Sequence, residues 1–77
     1  MSAKYVIIDH KFLELAVVFN PILNHSDFKH LGKIVSAGSV QINGDDVVCY
    51  GSSVTLKLAS RGEVDARVVK QAIRNDF

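Results

Sequence analysis

Three short runs of small and polar residues carry the most suggestive chemistry in this chain: Ser36-Ala37-Gly38-Ser39, Gly51-Ser52-Ser53 and Ser60-Arg61-Gly62. Amides exposed beside glycine, serine hydroxyls, a helix N-terminus and one arginine are what binding a phosphate or carboxylate requires. If folding brings these runs to one end of a sheet, Ser36, Gly38, Gly51, Ser53, Ser60 and Arg61 form a candidate site for a small anionic, nucleotide-like ligand. Arg61 would meet the phosphate, and Tyr50 would offer a ring for stacking. His25 joins the set because it lies where a short helix begins and its ring can hydrogen-bond a fixed partner. The same residues also make ordinary bulges, turns and a helix cap.

Other chemistries find less support. His10, His25 and His30 do not pair at helical i, i+4 spacing, and only Cys49 could add a thiolate, so no metal and no other cofactor is expected. Cys49 lies between Val48 and Tyr50 in a β-type run, where a buried structural cysteine is the commoner case. There is no G-x-S-x-G motif and no local Cys–His signature. Asp45-Asp46 belongs to a turn, and Glu63 has the spacing of a helix cap. The expectation is therefore a binding protein and not an enzyme.

Seventy-seven residues, 48% of them apolar, make a single domain over 1–77 with a small core. One cysteine allows no intrachain disulfide, so subunit contacts should supplement that core, most simply in a two-fold homodimer. The unpaired thiol suits a reducing compartment, and no apolar run approaches the roughly 20 residues of a membrane span. A cytoplasmic, soluble protein is expected, in the host cytoplasm if it is phage-encoded. A net charge of +1 argues against non-specific binding of nucleic acid.

Lys4–Asp9 and Leu13–Phe19 are apolar runs suited to strands, separated by a turn over Asp9–Phe12, and Asn20-Pro21 ends the second. A short helix is expected from a cap near Ser26 to Gly32. Lys33–Ile42 reads as a strand in which Gly38 marks a bulge or a close backbone approach. Asn43-Gly44 signals a hairpin into a strand over Val47–Tyr50. Val54, Leu56 and Leu58 alternate with polar residues and predict a further half-buried strand. Ser60 and Glu63 have capping-box spacing, and Val64, Val68, Val69, Ala72 and Ile73 form the apolar stripe of a closing helix, with Asp65, Arg67, Lys70 and Arg74 projecting elsewhere. The fold class is α+β: a small antiparallel sheet of about four to five strands, a short helix, and a C-terminal helix packed on one face.

The pattern S-A-G-x-V, then C-Y-G-x-S-V-x-L-x-L-x-S-R, then an acidic residue and a helix, runs from Ser36 to Asp65. It resembles a family of small uncharacterised phage and prophage proteins. Ser39 stands where that pattern has a bulky residue, and Gly62-Glu63-Val64-Asp65 where a proline followed by acidic residues is commoner. The resemblance implies a short accessory protein acting stoichiometrically on host machinery, including host defence, with no activity transferred. Two further classes of function remain open. One is an inhibitor that presents a sheet edge or apolar face to a host protein. The other is a small RNA-binding module, since Phe28–Asn43 resembles the helix–strand passage and V-x-I-N-G turn of a ribosomal-type fold. Only Lys29 and Lys33 supply positive charge there, which argues against RNA.

Overall fold

The computed structural model describes residues 1–74. Strands β1 (Ser2–His10), β2 (Leu13–Phe19), β3 (Lys33–Asn43) and β4 (Asp46–Tyr50) form one antiparallel sheet in the order β2-β1-β3-β4. A 3₁₀ helix spans His25–Leu31, a two-stranded hairpin joins β5 (Ser52–Ser53) to β6 (Leu58–Ala59), and helix α1 covers Glu63–Arg74. The expected α+β fold, with a closing helix on one face of an antiparallel sheet, is the fold observed.

β1 is central because every side chain from Tyr5 to Ile8 can be buried: the sheet has a covered layer on both faces, so the strand reads as a continuous apolar run. Ala3, Tyr5 and Ile7 join Val40 and Cys49 under Ala66 and Val69 of α1. Val6 and Ile8 point the other way, against Phe19, Ala37, Phe28 of the 3₁₀ helix, and Leu56 and Leu58 of the β5–β6 hairpin. Phe19 stacks at a tilt on Phe28 with ring centroids 4.3 Å apart.

Several local expectations shift. The 3₁₀ helix is capped at Asn24 and not near Ser26, because the Asp27 carboxylate accepts the Asn24 N–H at 2.9 Å; its stop at Gly32 stands. The bulge in β3 falls at Val35, skipped between the pairs Ile7–Ser36 and Ile8–Ile34, whereas Gly38 is the close approach. A Cβ there would lie 2.5 Å from the Tyr50 carbonyl oxygen. The β3–β4 turn residues are Gly44 and Asp45, since Asn43 already pairs with Asp46; Gly44 alone has positive φ, the pattern of a type II′ turn.

Of the strand expected over Val54–Leu58, residues 54–57 are instead a tight turn between β5 and β6, and Leu58 alone is in a strand, the first residue of β6. Alternation favours a strand only where a neighbour can complete the ladder. Here the chain leaves the sheet at Gly51, which has φ 77°, and the Ser53 hydroxyl accepts the Leu56 N–H at 3.3 Å. Lys57 adopts φ 57° to close the turn, leaving Val54 88% exposed while Leu56 and Leu58 still reach the lower core.

Candidate functional site

The site is built where β1, β3 and the start of α1 meet. Tyr5 and Gly38 are paired neighbours on the helix-facing side of the sheet, with Ile7 and Ser36 the next pair along. Across from them the chain runs from β6 through Ser60, Arg61 and Gly62 into α1. The Ser60 N–H donates to the Gly51 carbonyl at 2.9 Å, and the Ala66 N–H to Gly62 at 3.0 Å. Gly62 therefore caps α1, and Asp65 comes one turn inside.

Asp65 is 0% exposed and lies at the centre. Its carboxylate accepts from the Tyr5 hydroxyl, the Ser36 hydroxyl at 2.9 Å, the Arg61 N–H at 2.9 Å and the Arg61 Nε–H at 2.7 Å. The Tyr5 hydroxyl also lies 2.7 Å from Ser60 Oγ, which accepts the Gly62 N–H at 3.0 Å. A phenol has one proton, and the carboxylate is the stronger acceptor, so the Ser60 hydroxyl donates to the Tyr5 oxygen and Tyr5 donates to Asp65. The outer edge of the Arg61 guanidinium meets Glu14 on β2 in a bidentate pair at 2.8 and 3.1 Å.

Burial alone would raise the Asp65 carboxyl, but its donors outweigh burial and hold it below the usual carboxylate range. Burial, followed by the bond to Asp65, pushes the Tyr5 phenol well above its ordinary value. Glu14 is lowered chiefly by its bonds to Arg61, and the same pair keeps Arg61 charged. Two carboxylates thus surround one guanidinium, which leaves the cluster with an excess of negative charge.

Of the residues singled out by sequence, folding brings Ser36, Gly38, Ser60 and Arg61 together, with Gly51 attached through its carbonyl. The anion they surround is the chain's own Asp65. His25 is buried on the opposite face, where its Nε2–H donates to the Gly38 carbonyl at 2.8 Å and its ring meets Phe19 edge-on. Gly38 therefore links the two layers. Ser53 is buried at the end of β5, away from Arg61's hydrogen-bond network. Tyr50 pairs with Ser39, which puts its ring on the face opposite Ser36 and Gly38.

The capping box expected of Ser60 and Glu63 does not form: Gly62 precedes α1 as its cap, and the Ser60 hydroxyl accepts the Gly62 N–H and not that of Glu63. Ser60 gives its N–H to Gly51, and Asp65, not Glu63, reaches back to the preceding backbone at Arg61. Correspondingly, α1 buries Asp65, Ala66 and Val69, while Val64 and Ile73 of the expected stripe are exposed. Sequence reasoning missed Tyr5, Glu14 and Asp65 as members of the cluster. The available signal was the i, i+4 spacing of Arg61 and Asp65.

Among the described residues, no three His, Cys, Asp or Glu side chains converge on one point, and no helix is long and apolar enough to cross a membrane. Cys49 is buried, and that burial pushes its thiol up to about 11. Comparison with protein families, with curated proteins and with solved structures finds no match.

Proposed function

We propose that this chain is a non-catalytic accessory factor of the phage type that acts stoichiometrically by binding a host protein through the open edge of β4. The observation that carries this reading is the edge itself. β4 ends the sheet, and the Asn43–Asp46 pair closing its two-residue turn fixes which backbone groups face β3. The N–H and C=O groups of Val47 and Cys49 then point outward, available to an added strand. Beside them Val48 and Tyr50 are exposed on one face, and tyrosine is enriched among the residues that dominate protein interfaces. The place of action is the host cytoplasm, whose reducing conditions suit the unpaired Cys49.

This reading is tested by affinity capture with the wild-type chain and with Val48→Lys/Tyr50→Glu. A partner bound by the wild type and lost by the variant is expected. Retention of that partner by a folded variant would remove β4 from the account.

A second reading, sequestration of a small anionic, nucleotide-like ligand at Arg61, is favoured by one observation. The Arg61 side chain is 33% exposed, and its pair with Glu14 lies at the surface, where such pairs contribute only about 0–1 kcal/mol. A phosphate could take the place of Glu14, though Tyr50 would not stack on it from the other face. Calorimetry with mono-, di- and cyclic nucleotides against wild type and Arg61→Ala separates the two readings. Binding abolished by Arg61→Ala would favour the ligand, and absence of binding across the panel would leave the protein partner.

A further inference from the structure

We infer that β2 is the interface with a second copy of this chain, which adds antiparallel to β2 about a two-fold axis through Ala16 and makes one continuous sheet from two protomers. This inference is independent of what β4 binds.

The register follows from the hydrogen-bond parity of the sheet. Met1 and Ile42 exchange both bonds, the Ile42 N–H to the Met1 carbonyl at 2.8 Å and the Met1 amino group to the Ile42 carbonyl at 2.7 Å. Backbone groups alternate in direction along a strand, so Ala3, Tyr5 and Ile7 also face β3, and Lys4, Val6, Ile8 and His10 face β2. Their partners Phe19, Val17, Leu15 and Leu13 are thereby used. The N–H and C=O groups of Glu14, Ala16 and Val18 point out of the sheet, and among the described residues no strand covers them.

Antiparallel pairing about Ala16 sets Ala16 against its own copy, Glu14 against Val18 of the second copy, and Val18 against its Glu14. These are the residues whose backbone groups are free, so each outward group finds a partner. The two Glu14 side chains stand roughly 13 Å apart along the strands, and no like charges are opposed.

Side chains fit the same register. Leu13 and Leu15 are 65% and 46% exposed, large apolar groups on the edge of a strand with no lysine or proline to discourage pairing. About the Ala16 axis they lie opposite Phe19 and Val17 of the second copy, apolar against apolar. A groove of about 250 Å³ lies between β2 and α1, lined by Leu13, Leu15, Ala16, Val68, Gln71 and Ala72 among others. A two-fold axis normal to the sheet puts both α1 helices on one side, so that Ala16, Val68 and Ala72 face their counterparts across the axis.

The test combines light scattering of the intact protein with two variants. The wild type is expected to be a dimer at high micromolar concentration, and a monomer would overturn the inference. Leu15→Lys, at an exposed position, should give a folded monomer; a dimer that survives it would put the interface elsewhere. Leu15→Cys/Val17→Cys checks the register, because these positions form a close non-hydrogen-bonded pair across the axis, within disulfide reach. Mild oxidation should link that protein into a covalent dimer and leave Leu15→Cys alone unlinked. No covalent dimer from the double variant, or equal linking of the single one, would overturn the pairing.

Discussion

Tyr5 donates its hydroxyl to Asp65 across sixty positions of chain, joining the central strand to the first turn of the closing helix. That bond, with those from Ser36 and Arg61, is what allows a carboxylate to be ionised where no water reaches it. Helix α1 is held on the sheet by a polar pin as well as by apolar packing.

The pin should be visible in acid. Asp65 has a folded pKa below its unfolded value of about 3.9, so its contribution to stability is fully present above that value and is lost as pH falls through the folded pKa. Asp65→Asn leaves donors of Tyr5 and Ser36 short of acceptors, at about 1–3 kcal/mol. Urea melts of wild type and variant should differ near neutral pH and converge in strong acid; a constant gap would refute the assignment.

Arg61 and Glu14 should behave unequally although they share a bidentate pair. Arg61→Ala removes the cation beside a buried carboxylate, whereas Glu14→Gln alters a surface pair worth about 0–1 kcal/mol. The arginine variant should melt at the lower temperature. Equal melting points would mean that the guanidinium does little for Asp65.

Gly38→Ala should destabilise the fold by about 1–3 kcal/mol, because the new Cβ meets the backbone oxygen of Tyr50 and not a side chain that can swing away. Gly44→Ala controls for glycine removal with no steric obstacle, since nothing lies within 4 Å of its added Cβ, although its φ of 60° is itself unfavourable. A smaller loss at Gly38 than at Gly44 would contradict the close approach.

Cys49 should resist thiol reagents in the folded protein near pH 8, since burial places its thiol at about 11. Labelling should rise once denaturant unfolds the chain. Rapid labelling of native protein would show that β4 opens readily.

Elements whose reasons are local were legible in the sequence. The β-branched runs of β1 and β2 are strands for the reason their composition suggests, Gly32 stops the 3₁₀ helix, and Gly44 turns β3 into β4. Composition grouped Ser36, Gly38, Ser60 and Arg61 into one candidate site. It did not say what they surround, because that depends on which face α1 presents to the sheet. Three positions in its first turn can face inward, and a carboxylate is chosen over Val64 only once Tyr5, Ser36 and Arg61 are present to satisfy it. The strand expected at Val54–Leu58 failed for a related reason: alternation specifies faces, while a strand also needs a neighbour to complete its hydrogen bonds. Such neighbours are supplied by residues far away in the chain, so the sequence determined the alphabet of elements and tertiary packing decided which polar groups they bury.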